Sequence, residues 1–239
     1  MVTIRDIAEA CGVSVATVSN YLNGKDKMSA ATQERIREAV ERYGYQPNAV
    51  AKGLRSRKSG IIGIIVEDIS QFTSPEIVEG VMRYIEDQKY QAVVKNLRLY
   101  ARWSDTWFNN ESMIREVLEP ALTELRSMMV DGIIYIAVHG RMTRILPDDL
   151  QVPAVMIYAT EENASIPSIV LDDENAAYEA VSYLIDHGHR RIGVMAGRED
   201  NLHTVLRLKG ARRAMEAHDL ALEDELVMYA DWSREDAEK

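Results

Sequence analysis

The strongest constraint on the fold is an alternation, from residue 61 onward, of short apolar runs with segments of helical periodicity. The first run, Ile61–Val66, is apolar on both faces, which is typical of a buried parallel strand. Further strands are predicted at 91–95, 132–138, 154–158, 191–196 and 227–230, and helices at 75–89, 111–129, 174–186 and 205–218. This order predicts a doubly wound α/β domain.

Ligands of such domains bind beyond the carboxyl ends of the strands. Side chains that follow the predicted strands are therefore the candidates for contacting a small molecule. They are Asp68, Ser70, Phe72, His139, the stretch 158–161 that begins with Tyr158, the stretch 198–207 that ends with Arg207, and Trp232. Trp232 has an alternative interpretation as a core residue, and Arg207 as an exposed helical charge.

Nothing in this region indicates an enzyme. The glycine-rich patterns that bind dinucleotides or nucleoside triphosphates are absent from the sequence. Asp186, His187 and His189 have side chains suited to a metal or a catalytic pair. They lie at a helix end with no other His or Cys near them in sequence, which favours helix capping. We expect no metal and no cofactor.

The first sixty residues are predicted to be helical. Thr3 caps a helix at 4–11, Ser14 caps a second helix at Val15–Leu22, and a third helix follows at 31–43. Two helices joined by a short turn are typical of a helix-turn-helix, whose second helix enters the DNA major groove. A helical bundle without a DNA role would show the same three helices.

The charge distribution is asymmetric. The whole chain carries a net charge of −10, yet residues 1–60 contain ten basic and six acidic residues, so this segment is +4 and the remainder −14. A basic head on an acidic body is expected of a DNA reader with a separate sensor. A chance fluctuation on helical surfaces would give the same numbers.

Specific motifs narrow these alternatives. The segment TIRDIAEACGVSVATVSNYLN at 3–23, with RIREA at 35–39 and YGYQPN at 43–48, resembles the headpiece of the LacI/GalR family of bacterial transcription regulators. The resemblance implies that Val15, Ala16 and Asn20 read bases and that Thr17 and Ser19 hold phosphates. Asn20 stands where many members carry Arg, and Asn pairs best with adenine. The other expected DNA contacts are Thr3, Ser14, Asn23, Asn48, Lys52, Leu54 and Arg55.

The same resemblance implies a hinge at 47–59, between a headpiece at 1–46 and a sensor domain at 60–239. Family hinges form a helix on the operator, pair with the copy from a second subunit and insert a leucine into the minor groove. Leu54 matches that leucine, although it could also be a packing residue of a linker. Gly53 weakens the isolated helix by about 0.8–1 kcal/mol relative to Ala.

The acidic body is similar to the family's two-lobed sensor, which resembles periplasmic sugar-binding proteins. The match is carried by GIIG at 60–63, DGII at 131–134 and HGHRRIG at 187–193. It implies a first lobe at about 60–160 and part of a second at about 161–239, with Arg207 and Trp232 contacting the ligand. Ala159 replaces a usual polar anchor, and the aromatic stretch 97–111 is expected to cover the cleft or to bind a partner.

Together these features predict a cytoplasmic, non-enzymatic transcription regulator. We expect a repressor that binds double-stranded operator DNA as a homodimer and responds to a small effector, expected to be a carbohydrate. A solute-binding protein or an α/β enzyme with a DNA-binding head are the alternatives. The start of the chain does not resemble a signal peptide, and Cys11 is the only cysteine. Because the chain is short for the family, we expect truncation; the alternative is a shortened regulator with an incomplete cleft. The alternative function is that of a truncated regulator that binds DNA without responding to an effector.

Overall fold

The computed structural model describes residues 2–25, 28–45, 58–104, 106–163, 165–230 and 238. They belong to two compact units, Met1–Ser59 and Gly60–Lys239. Within the described part of the chain, no helix is long and apolar enough to cross a membrane.

The first unit contains three helices, α1 (Ile4–Ala10), α2 (Val15–Leu22) and α3 (Ala30–Tyr43). Thr3 begins α1 with a capping box: its hydroxyl accepts the Asp6 N–H, and the Asp6 carboxylate accepts the Thr3 N–H at 2.7 Å. This pair also lowers the pKa of Asp6, because the Thr3 backbone donates to its carboxylate. Three fully buried side chains, Ile7, Val18 and Ile36, contribute one core residue from each helix.

The second unit is an α/β domain, which confirms the predicted fold class. Its larger part, called here the first lobe, has the strands β1 (Ile61–Val66), β2 (Gln91–Asn96), β3 (Gly132–Ile136), β5 (Ala154–Ile157) and β7 (Ser168–Ile169). Its helices are α4 (Ser74–Asp87), α5 (Leu99–Trp103) and α6 (Glu111–Ser127). The five strands form one parallel sheet in the order β2-β1-β3-β5-β7. A small parallel pair, β4 (Met142–Thr143) and β6 (Thr160–Glu161), lies beside it.

The smaller part, the second lobe, contains α7 (Asp173–Asp186), β8 (Val194–Ala196), α8 (Leu202–Glu216) and β9 (Val227–Tyr229). β8 and β9 form a parallel two-stranded sheet. The prediction placed the start of α8 three residues too late, at 205. The helix begins earlier because the Asn201 side chain accepts the His203 N–H at 2.9 Å and caps it.

Alternate residues of β1 enter two different cores, which explains why the strand is apolar on both faces. Ile65 belongs to a cluster with Leu118 and Leu122 of α6. Ile64 and Val66 belong to a second cluster with helix α4. The predicted strand at 132–138 ends earlier, at Ile136, and the Val138 N–H donates to the Glu67 carboxylate instead of to a neighbouring strand.

The core of the second lobe depends on the close approach of α7 and α8. Gly210 of α8 faces the backbone carbonyl of Glu174 in α7, and a Cβ at this position would overlap it. The glycine therefore sets the spacing of the two helices. Leu208, Ala211 and Met215 of α8 are buried in the cluster that this packing forms.

We expect Gly210→Ala to destabilise the chain by about 1–3 kcal/mol, because the added methyl overpacks the helix interface. Gly80→Ala is the matched control: Gly80 is also inside a helix, but a Cβ there meets no atom within 4 Å. The control should be stabilising by about 0.5–1 kcal/mol through its helix propensity. Denaturant unfolding followed by circular dichroism measures both; equal effects would show that α7 and α8 are not closely packed.

Candidate functional site

Helix α2 places the predicted base-reading residues on its accessible side. Ser14, Val15 and Ala16 are exposed, Asn20 is half-buried, and Val18 packs into the core. The α2 N-cap, Ser14, accepts the Thr17 N–H at 3.1 Å. Thr17 and Ser19 are half-buried, Thr3 and Asn23 are exposed, and the remaining predicted DNA contacts, Asn48, Lys52, Leu54 and Arg55, lie outside the described residues.

Two predicted ligand residues have unusual backbone conformations at the ends of strands. Phe72 has φ 46° and Tyr158 has φ 75°, both in the left-handed region that disfavours side chains. This conformation costs about 1–2 kcal/mol for a non-glycine residue. Five other described non-glycine residues share a positive φ, namely Lys89, Arg98, Ser104, Met129 and Asp219, so this strain alone does not identify a ligand site.

Four aromatic rings surround the imidazole of His139. The ring centroids of Phe72, Trp107 and Phe108 lie 5.4, 5.8 and 4.6 Å from it. The Tyr100 hydroxyl lies 2.5 Å from His139 Nε2. Burial lowers the pKa of His139 to about 4, and the nearby positive charge of Arg141 adds to the shift, so the ring is neutral at neutral pH.

The aromatic stretch 97–111 packs inside the unit rather than offering its rings to a partner. Trp107 is fully buried and Phe108 nearly so. The Phe108 ring lies 5.5 Å from the guanidinium carbon of Arg198, and Asn109 donates to Asp200 at 3.5 Å. Both contacts reach the second lobe, so the stretch covers the junction between the lobes.

A buried ion pair holds the loop that carries His139. Glu67, immediately after β1, pairs with Arg141 and accepts hydrogen bonds from the Tyr135 hydroxyl at 2.8 Å and the Val138 N–H at 2.7 Å. Burial, reinforced by the charge of Glu67, raises the pKa of Tyr135, which therefore remains a donor.

The second lobe contributes a hydrogen-bonded group centred on Asp173. Its carboxylate accepts from His203 Nδ1 at 2.5 Å and from Arg207 Nε at 2.7 Å. The His203 ring lies 4.5 Å from the Tyr158 ring of the first lobe. It also faces Gly140 so closely that a Cβ on Gly140 would overlap it. Residues that follow β3 and β5 therefore meet the first turn of α8.

The structure thus brings together some of the predicted ligand residues. Phe72 and His139 meet in the aromatic ring cluster, and Tyr158 and Arg207 are joined through His203 and Asp173. Asp68 and Ser70 form the turn after β1, where the Ser70 hydroxyl donates to Asp68 at 2.8 Å. Trp232 lies outside the described residues.

At the junction between the two lobes, called here the cleft, three further residues were not among the predicted contacts: Glu67, Arg141 and Asp173. His203 lies within the predicted stretch 198–207 but was not singled out. The one sequence signal is a glutamate directly after an apolar strand, where a buried charge needs a partner. Asp173 could not be recognised in this way, because an acidic residue in the first turn of a helix is common and is explained by the helix dipole.

The described residues include no cluster of three or more side chains arranged to hold a metal ion. His187 is the C-cap of α7, and its Nδ1 lies 2.8 Å from the Tyr183 carbonyl. This contact fits the capping interpretation of the Asp186–His189 segment.

Comparisons with known sequences identify both units. Residues 3–48 match "Bacterial regulatory proteins, lacI family", and residues 111–239 match "Periplasmic binding proteins and sugar binding domain of LacI family". The chain is 32% identical over 236 residues to catabolite control protein A of Priestia megaterium, covering 97% of this chain and 66% of that protein. It is 33% identical over 191 residues to the HTH-type transcriptional regulator RegA of Clostridium acetobutylicum, covering 78% and 53%.

Solved structures show the same fold. The lac repressor dimer bound to operator and the anti-inducer ONPF matches with a TM-score of 0.70 and 24% identity, over 97% of this chain and 66% of that one. The complex of the transcriptional regulator CelR with cellobiose matches with a TM-score of 0.53 and 25% identity, over 99% and 68%. This chain spans about two thirds of the length of the first relatives. It belongs to the LacI family of bacterial regulatory proteins.

Proposed function

We propose that this chain is a sequence-specific DNA-binding transcription regulator, acting as a repressor, whose operator affinity is set by a carbohydrate effector. The observation that carries the proposal is the continuous set of contacts from Phe72 and His139 in the first lobe to His203 and Asp173 in the second. The relatives support it: they are transcription regulators rather than enzymes, and one similar structure is a regulator with bound cellobiose.

In this proposal α2 enters the major groove of double-stranded DNA. Val15, Ala16 and Asn20 read base edges, and Thr17 and Ser19 contact phosphates. The excess of basic residues in the first sixty positions attracts the DNA backbone, whereas the acidic body is repelled by it. Two headpieces of a homodimer read the two half-sites of a pseudo-palindromic operator.

The hinge, residues 47–59, links effector and operator in this proposal. Leu54 acts as a minor-groove wedge, and the two hinges of the dimer form helices together on the operator. An effector in the cleft favours one arrangement of the lobes because it contacts both of them. The coupling free energy between effector and operator is limited by the difference in effector-binding free energy between the two arrangements of the lobes.

The proposal is tested by selecting operator sequences from a random DNA pool. The Kd for the most enriched sequence is then measured in the presence of one carbohydrate at a time. One carbohydrate should change the operator Kd by about 5- to 150-fold, the usual range of allosteric coupling. No enriched sequence would contradict the DNA-binding role. An operator affinity that no carbohydrate changes would contradict the effector role.

A pair of variants locates the effector. Phe72→Ala should abolish the carbohydrate response and leave operator affinity without carbohydrate unchanged, because Phe72 belongs to the ring cluster around His139. Tyr183→Ala removes another exposed aromatic side chain, 63% exposed against 50% for Phe72, from helix α7 and should retain the response. A full response in Phe72→Ala would place the effector elsewhere.

Base reading by Asn20 is tested with Asn20→Arg. The preferred base at one half-site position should change from adenine to guanine, by about 1–3 kcal/mol, because Arg pairs with guanine in the major groove. Asn23→Arg is the control: Asn23 is exposed at the end of α2, so its arginine should strengthen binding to all sequences alike. Selection from a random DNA pool measures both; an unchanged base preference in Asn20→Arg would remove Asn20 from readout.

A further inference from the structure

Three arginines contact the cleft, and each has a carboxylate partner. Arg141 pairs with Glu67, Arg198 Nε donates to Asp200 at 3.1 Å, and Arg207 Nε donates to Asp173 at 2.7 Å. Asp68, also buried at the strand ends, adds a further negative charge. These carboxylates outnumber the arginines by one, so even a protonated His203 would only bring the net charge of these groups to zero. The described charges of the cleft therefore carry no positive surplus.

This balance disfavours an anionic ligand. Proteins bind phosphate and carboxylate groups with uncompensated arginine forks. Here a phosphate entering beside Arg207 would meet the Asp173 carboxylate, and one beside Arg198 would meet Asp200. Like-charge repulsion is strong in a partly buried site, where water screens it poorly.

The first turn of α8 instead offers buried polar atoms suited to hydroxyl groups. Asn201 Nδ2, His203 Nε2 and Thr204 Oγ1 have no hydrogen-bond partner among the described residues, and none of the three residues is more than 6% exposed. A buried polar group without a partner is costly, so these atoms favour a ligand that bonds to them. His203 Nε2 faces Gly140, so a ligand hydroxyl reaches this atom only by replacing that contact.

Asp173 determines what His203 can recognise. Its carboxylate accepts from His203 Nδ1, so whenever the ring is neutral its one proton lies on Nδ1 and Nε2 is an acceptor. A hydroxyl group placed at Nε2 can donate its proton to this acceptor, whereas a phosphate dianion placed there has no proton to donate. The same carboxylate neutralises Arg207.

Resting on the proposed effector function of this cleft, we infer that it selects an uncharged polyhydroxylated ligand over its phosphorylated form, and that Asp173 is the residue that enforces this choice. The aromatic rings around His139 complement the inference, because they offer apolar faces to the C–H faces of an uncharged sugar ring.

The test is the binding of inorganic phosphate to the full chain, with chloride at matched ionic strength as the reference. Wild type should show no stabilisation by phosphate in thermal unfolding. Asp173→Asn should gain phosphate affinity by roughly tenfold or more, a coupling typical of close charge pairs. The NMR signals of the His203 ring should shift as phosphate binds to the variant.

Asp172→Asn is the matched control. It makes the same change one residue earlier, at the exposed N-cap of α7, where Asn caps as well as Asp. It should gain no phosphate affinity. Equal gains in both variants, or no gain in Asp173→Asn, would overturn the role of Asp173. If Asp173→Asn does not fold, Asp173→Ser carries the test, because it removes the same carboxylate and keeps a hydroxyl that can accept from Arg207; it should show the same gain in phosphate affinity.

A second comparison uses glucose and glucose 6-phosphate with wild type and Asp173→Asn. The ratio of glucose 6-phosphate affinity to glucose affinity should rise at least tenfold in the variant. Wild type that binds the phosphorylated sugar or inorganic phosphate more tightly would overturn the inference and leave the effector function standing. The effector function itself is decided by the operator experiment, which uses no anionic probe.

Discussion

The arrangement of the cleft depends on the buried Glu67–Arg141 ion pair. An ionised side chain without water is stable only if it is paired and hydrogen-bonded, and Glu67 satisfies this with Arg141, the Tyr135 hydroxyl and the Val138 N–H. Removing one partner of such a pair typically costs about 3–5 kcal/mol, because the other charge stays buried. The pair therefore fixes the loop after β3, and with it the position of His139 and Gly140.

The second lobe is positioned against this loop. Gly140 leaves room for the His203 ring, and the Asp173 carboxylate prevents that ring from turning away. The two lobes thus meet where the His203 imidazole, held in one orientation by Asp173, packs against Gly140, which has no side chain. A ligand that bonds to His203 Nε2 competes with this contact, so its binding and the separation of the lobes are physically linked. Regulation through lobe movement needs only that the ligand fits one separation better than the other.

The sequence pattern predicted the main strands because parallel strands buried on both faces form continuous apolar runs. It could not predict β4, β6 and β7, since two-residue strands leave no periodicity to detect. The strand-end rule found Phe72, His139 and Tyr158. It could not find the pairings of the cleft: Glu67 and Arg141 are 74 residues apart, and Asp173 lies 30 and 34 residues from His203 and Arg207. These pairings exist only once the sheet order and the packing of α7 on α8 are set.

The two units of the chain differ in the sign of their net charge. In the proposed function the basic head binds the DNA backbone and the acidic body is repelled by it, so operator affinity would depend on how the heads are presented. Within the cleft, each described arginine is balanced by its own carboxylate, and an uncharged ligand leaves this balance unchanged. Such a ligand cannot act by changing the electrostatic field at the DNA. In the proposed function its effect would pass through the geometry of the lobes, which meet at the contact between Gly140 and His203.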